Sequence, residues 1–198
     1  DIKSTLLFFS GRAHDSVGVI KKLSLAYPHV RIVSFNYRSY GRSEGVASEE
    51  NILNDGVKIA QLVKKNYGDF YILGYSLGSS VASYVATKVE CKAIFLVGVF
   101  DSIASIAKEK FVVRSFFPMI DLSNIFRYKF NNKEHLKEVD AHTYILVSKD
   151  DETTYIQNAR NLKSHVKNLV VYEEYDNLSH KELLWDDKVI DKINGVLK

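Results

Sequence analysis

Gly74-Tyr75-Ser76-Leu77-Gly78 follows directly on the apolar run Phe70-Tyr71-Ile72-Leu73. A serine between two glycines, leaving a strand and entering a helix, is the pattern of a turn that exposes a nucleophile. Glycine on either side leaves room where a Cβ would collide with the neighbouring strand and helix. Ser76 Oγ is then expected above the carboxyl end of a sheet, with the Leu77 backbone N–H facing an incoming carbonyl. The flanks fit. A buried-type strand precedes the turn, and Ser79-Ser80-Val81-Ala82-Ser83-Tyr84-Val85-Ala86 follows as a small-residue helix able to pack closely on a sheet.

Outward from this turn, apolar, β-branched and aromatic runs recur at Thr5–Ser10, Val30–Asn36, Phe70–Tyr75, Ala93–Val99, Thr143–Ser148 and Leu169–Tyr175. Their near-continuous hydrophobicity suits strands buried on both faces of a parallel sheet. Helical patterns lie between them. Ser48 to Tyr67 places Ile52, Val57, Ile59, Ala60 and Val63 on one face, with Ser48 as the start signal. Glu182 to Leu197 places Leu183, Ile190, Ile193 and Leu197 on another. Alternating strand and helix predict an α/β sandwich with right-handed crossovers. With no repeat, low-complexity segment or Pro/Gly-rich linker, one domain over residues 1–198 is expected. The interval 100–140 breaks the rhythm with Phe111, Val112, Phe116, Phe117, Met119, Ile120, Ile125, Phe126 and Phe130 among basic residues. It reads either as helices covering the sheet or as a small cap whose apolar face receives an acyl chain.

A serine nucleophile needs a base, and the base needs an orienting group. His180, in Asp176-Asn177-Leu178-Ser179-His180, follows the last strand and precedes the final helix. Asp150 and Asp151 follow the strand Thr143–Ser148. All are loop positions at the sheet edge that carries Ser76, where open α/β folds bind ligands. Successive side chains at a strand end point in different directions, so only one aspartate can reach His180. The other histidines are weaker candidates: His29 and His142 abut strand starts, His135 and His165 fall in polar helical stretches, and His14 lies in the first loop. That loop, Ser10-Gly11-Arg12-Ala13, is expected to supply the Arg12 N–H as an oxyanion donor beside Leu77 N–H.

With these residues in view, the chain resembles the α/β-hydrolase superfamily, in its small serine esterase, peptidase-like and depalmitoylase-like branch. That branch carries H-G-N-x, N-Y-R-G-Y-G-x-S-x-G, G-x-S-x-G, an acid in G-x-x-D, and S-H near the end. Here the second motif reads Asn36-Tyr37-Arg38-Ser39-Tyr40-Gly41-Arg42-Ser43-Glu44-Gly45, with Ser39 in place of a glycine. The acid motif reads Ser148-Lys149-Asp150-Asp151, and Ser179-His180 matches outright. The likeness covers essentially the whole chain. Two positions depart from it: Ser10 replaces the histidine before Gly11, and Ser148 replaces the glycine before the acid segment. The start is short, beginning at Asp1 rather than Met. Family members have further strands before Thr5, so the expectation is a removed N-terminal piece and a sheet lacking an edge.

The resemblance implies an α/β-hydrolase fold with a mostly parallel central sheet, helices on both faces and a small helical cap segment. It selects Asp151 as the acid and implies ester or thioester hydrolysis without a metal or organic cofactor. The expected activity is cleavage of a small-molecule acyl ester or thioester by Ser76, His180 and Asp151 through an acyl-enzyme. A peptidase or amidase on the same triad is the alternative within enzymes, and a hydrolase-fold binding protein with little turnover is the alternative outside them. Composition narrows the rest. Across 198 residues the net charge is +3 without a dense basic block, which argues against nucleic acid. No apolar stretch approaches the length of a membrane span, and the first residues lack a secretory layout. The lone Cys91 excludes an intramolecular disulfide and fits a reducing, cytoplasmic setting.

Overall fold

Six strands pair side by side, and the central four are buried along almost their whole length. β1 (Ser4–Phe9), β2 (Val30–Ser34), β3 (Tyr71–Tyr75), β4 (Ala93–Val97), β5 (His142–Ser148) and β6 (Leu169–Tyr175) form one sheet. Their order is β2-β1-β3-β4-β5-β6, and each pairing is parallel. β3 and β4, at the centre, are buried at every residue. A central parallel strand is covered above and below, which is why Ala93-Ile94-Phe95-Leu96-Val97 shows no alternation. This computed structural model describes residues 1–12, 15–106 and 129–197.

The pleat sorts each strand's side chains into two apolar layers. Leu7, Phe9, Ile72, Ile94, Leu96 and Ile145 face one side, and Leu6, Phe8, Leu73, Phe95, Val97 and Leu146 face the other. The first layer is covered by α2 (Glu49–Tyr67), α3 (Leu77–Ala86), α4 (Asn132–Leu136) and α5 (Ile156–Lys163). They contribute Ile52, Ala60, Val63, Val81, Val85, Leu136 and Leu162. The second layer is covered by α1 (Ile20–Ala26), α6 (His180–Leu183) and α7 (Asp187–Asn194), through Leu23, Leu183, Val189 and Ile193. The sheet is thus the middle of three layers, and each layer boundary is a core. Among the described residues no helix is long and apolar enough to cross a membrane.

Ser48 caps α2 as the sequence predicts, its side chain accepting from the Asn51 N–H. Glu49 and Glu50 lie in the first turn and Lys64 and Lys65 in the last, complementing the helix dipole. The predicted terminal helix Glu182–Leu197 is instead two helices. Ser179 and Glu182 form a reciprocal capping box that starts α6 at His180. Asp186 then starts α7 by accepting from the Lys188 N–H. The break lets Leu183, Leu184, Val189 and Ile193 all reach the core, which one straight helix would not allow. Two strands also end two residues earlier than their apolar runs. β2 stops at Ser34 because the Asn36 side chain is engaged with the first loop. β4 stops at Val97 because Gly98, at φ +60°, turns the chain. Most of the predicted cap, including Phe111, Phe116, Phe117 and Phe126, lies outside the described residues.

Candidate active site

Parallel pairing brings all strand ends out on one edge, and the aligned register keeps them level. Phe9 pairs with Gly74, Tyr75 with Val97, and Ser148 with Tyr175. Ser10–Arg12, Ser76, Gly98, Asp151 and His180 therefore leave the sheet at the same edge.

Ser76 lies at φ +53° and ψ −119°, between the end of β3 and the start of α3. A serine rarely adopts a positive φ, and the surroundings hold it there. Its N–H donates to Val97 O at 2.9 Å, and its carbonyl accepts from Ser79 N–H at 2.9 Å and Ser79 Oγ at 2.6 Å. A Cβ at residue 74 would lie 2.5 Å from Gly78 O and 2.7 Å from Ala82 Cβ. One at residue 78 would run into the Phe9 carbonyl. Both glycines of the motif are thus required by close approach of β1, β3 and α3. Leu77 is the first residue of α3, so its N–H has no acceptor within the helix and is available to an anion.

Asp151, rather than Asp150, meets His180. The His180 Nδ1 to Asp151 Oδ2 distance is 2.7 Å, and both side chains are buried. Asp151 Oδ2 also accepts from Thr154 Oγ1 at 2.7 Å, while Oδ1 accepts from the Thr153 and Thr154 N–H groups, each at 2.8 Å. Burial pushes the Asp151 carboxyl up, but the hydrogen bonds from His180 and Thr154 outweigh it and hold the group below its usual value. Asp151 is then a carboxylate that only accepts, which places the ring proton on Nδ1 and leaves Nε2 as an acceptor. Asp150 does separate work: its Oδ2 accepts the Asn177 N–H at 2.7 Å and so ties the acid loop to the histidine loop.

The two departures from the family pattern both acquire partners. Ser148 Oγ donates to Leu178 O at 2.6 Å and accepts from the Asp150 N–H at 3.1 Å, a second tie between the acid and histidine loops. Ser10 is held from two sides. Its carbonyl accepts from Tyr37 OH at 3.1 Å, and its hydroxyl accepts from Ser16 Oγ. Asn36 extends the brace by accepting the Ser16 N–H at 2.7 Å and donating to Asp15 at 2.9 Å. A Cβ at residue 11 would lie 3.3 Å from Ser76 Cβ, so the loop carrying Arg12 borders the elbow. His14 lies outside the described residues.

Among the described residues no hydrogen bond joins Ser76 Oγ to the His180 imidazole. Tyr75, the residue before Ser76, stacks its ring on His180 with centroids 5.0 Å apart and donates its hydroxyl to His180 O at 2.9 Å. From the end of the neighbouring strand β4, a Cβ at residue 98 would lie 3.2 Å from His180 Cε1 and 3.5 Å from Asp151 Oδ2. Glu152 Oε2 accepts the His180 N–H at 3.0 Å. None of these three residues stood out in the sequence. The signal available was a buried tyrosine inside the motif, whose hydroxyl needs a partner. Among the described residues no group of three or more His, Cys, Asp and Glu side chains is placed to hold a metal ion.

Comparison with known proteins agrees with this architecture. No family model matches the chain. It is 31% identical over 156 residues to the lysophosphatidylserine lipase ABHD12 of Macaca fascicularis, covering 71% of this chain and 38% of that protein. It is 28% identical over 192 residues to the protein of the same name from Xenopus tropicalis, covering 88% of this chain and 49% of that one. The chain thus spans less than half the length of these relatives. Among solved structures, an esterase from Exiguobacterium antarcticum superposes with a TM-score of 0.74 at 13% identity, covering 99% of this chain and 92% of that one. A lipase-esterase related protein from Clostridium acetobutylicum gives 0.72 at 15% identity, with 98% and 95% covered. The all-parallel sheet, its flanking helices and the likeness to these structures over nearly the full chain agree: the chain has the α/β-hydrolase fold.

Proposed function

We propose that this protein is a serine hydrolase that cleaves carboxylic esters, with Ser76 as nucleophile, His180 as base and Asp151 as the group that orients it. The observation that carries this reading is the buried Asp151–His180 hydrogen bond at the sheet edge where Ser76 occupies a strained turn. Ser76 Oγ attacks the substrate carbonyl while His180 Nε2 takes its proton. The carbonyl π electrons move to oxygen, and the oxyanion is received by the N–H groups of Leu77 and Arg12. Collapse of the tetrahedral species expels the alcohol, which takes the proton back from Nε2 and leaves an acyl-enzyme. Water, deprotonated by the same imidazole, attacks the acyl-enzyme carbonyl, and collapse of this second tetrahedral species releases the acid as Nε2 returns the proton to Ser76 Oγ. The chemistry extends to thioesters, whose thiolate leaves more easily.

The curated relatives are named as lysophosphatidylserine lipases, which makes an acyl ester of a lysophospholipid the first substrate class to try. The test is covalent labelling. A fluorophosphonate probe should modify Ser76, and Ser76→Ala should abolish labelling and lower ester turnover by about 10⁶, as loss of a triad serine does. Labelling that persists at another serine, or a wild-type protein inert to the probe, would reject the reading.

A further inference from the structure

A general base works only if its ring is held in one orientation, and the bond from Asp151 to Nδ1 fixes one point of that ring. A single hydrogen bond leaves the imidazole free to swing about it. The backbone that carries the ring is also poorly anchored by its own helix. His180 is the first residue of α6, a helix of four residues, so its N–H has no intrahelical acceptor. Both main-chain groups of His180 are met by side chains from elsewhere. Glu152, on the acid loop, accepts the N–H at 3.0 Å, and Tyr75, at the end of β3, donates its hydroxyl to the carbonyl at 2.9 Å.

The ring itself is enclosed on two sides. Tyr75 lies against one face, with an interplanar angle of 29°. Gly98 lies so near Cε1 and Nδ1 that a methyl group there would press on the ring. Tyr75 is 2% exposed, and burial, aided by the charges of Asp151 and Glu152, pushes its phenol above the usual value, so the hydroxyl stays protonated and able to donate. Tyr75 also adjoins Ser76 in the chain. A displacement of the elbow is thereby transmitted to the base through one covalently adjacent residue.

We propose that Tyr75 is a positioning residue for His180, clamping the imidazole through its stacked ring and the hydroxyl bond to the His180 carbonyl, with Glu152 as the second anchor at the His180 N–H. This rests on the hydrolase reading above and adds to it the residues that keep base and nucleophile in register. The clamp acts on turnover and not on substrate affinity, because neither side chain is required to touch the substrate.

Tyr75→Phe keeps the stacked ring and removes only the hydroxyl. It should lower kcat and the rate of fluorophosphonate labelling by about three- to tenfold, the range set by one hydrogen bond, with KM unchanged. Glu152→Ala should do the same, and Glu152→Gln, which keeps an acceptor oxygen, should restore the rate. A hydroxyl with a structural role alone would lower Tm by about 2–4 °C and leave kcat untouched. The second readout needs no activity. In protein with ¹⁵N-labelled histidine, the Nδ1–H resonance of His180 should be sharp in the wild type and broadened in Tyr75→Phe. An unchanged resonance together with unchanged kcat would overturn the clamp. If the wild-type protein fails to label at Ser76, the hydrolase reading is lost, and the resonance alone then decides whether Tyr75 holds the ring.

Discussion

At the scale of single residues, the acid is chosen by direction as much as by residue type. Asp150 and Asp151 are adjacent and identical, yet one faces His180 and the other faces the Asn177 N–H. Four donors converge on the Asp151 carboxylate, so it is both oriented and kept ionised. Replacing it with asparagine would offer an amide that can either donate or accept, and the imidazole would lose the partner that fixes its proton on Nδ1. Asp151→Asn should therefore lower kcat by about 10³–10⁴. Asp150→Asn keeps an acceptor for Asn177 and should stay within about threefold of wild type. Steady-state rates on one ester substrate compare the two directly, and a larger loss at 150 than at 151 would reverse the assignment. The sequence alone left both residues open, because alternation says that they diverge but not which one points inward. The family pattern selected 151, and the hydrogen bonds give the physical reason.

At the scale of elements, the strands were legible and the loops were not. A parallel strand buried on both faces is recorded as an uninterrupted apolar run, so β3 and β5 were found almost to the residue. The terminal helices were misread as one, because Leu183, Ile190, Ile193 and Leu197 keep a helical spacing across a break set by Asp186. The short helices α1, α4 and α5 carry few apolar residues each and gave no clear period. Loop bracing was hidden for another reason: Ser10 and Ser148 looked like losses against the family pattern, whereas each gains partners from distant residues. The Ser10 brace has a measurable consequence. Ser16→Ala removes the hydroxyl that donates to Ser10 and leaves the Asn36 bond to the residue 16 N–H in place. Loss of a whole oxyanion donor costs about 10²–10³ in kcat, so loosening the loop proposed to carry one should cost less, about tenfold. KM should change little. A Ser16→Ala protein with wild-type kcat would show that the Ser10 loop is held without this contact.

At the scale of the whole molecule, the fold's titratable groups point to acid as the condition that unfolds it, and in two separable stages. His135 on α4 is half-buried with its ring edge-on to Tyr84 at 5.2 Å, and its Nδ1 is buried with no hydrogen-bond partner among the described residues. Burial pushes its pKa down, outweighing Glu49, Glu138 and Glu134, which favour the charged form, while Lys88 adds to the lowering. The unfolded chain therefore binds this proton first. The stability contributed by neutral His135 is present above the unfolded value, about 6.5, and is lost as the pH falls through the lower folded one. The carboxylates act in the same direction at lower pH. The hydrogen bond from Arg160 holds Glu174 at about 2, and Asp151 and Asp55 also lie below their usual values. Their contribution is complete above about pH 4 and disappears as each takes up its proton. Melting temperature against pH should therefore begin a gentle fall near about pH 6.5 and fall steeply below about 4. His135→Gln removes the titrating ring and should flatten the upper step while leaving the lower one in place. Circular-dichroism melts of the two proteins across this range make the comparison. An upper step that survives in His135→Gln would assign it to another group.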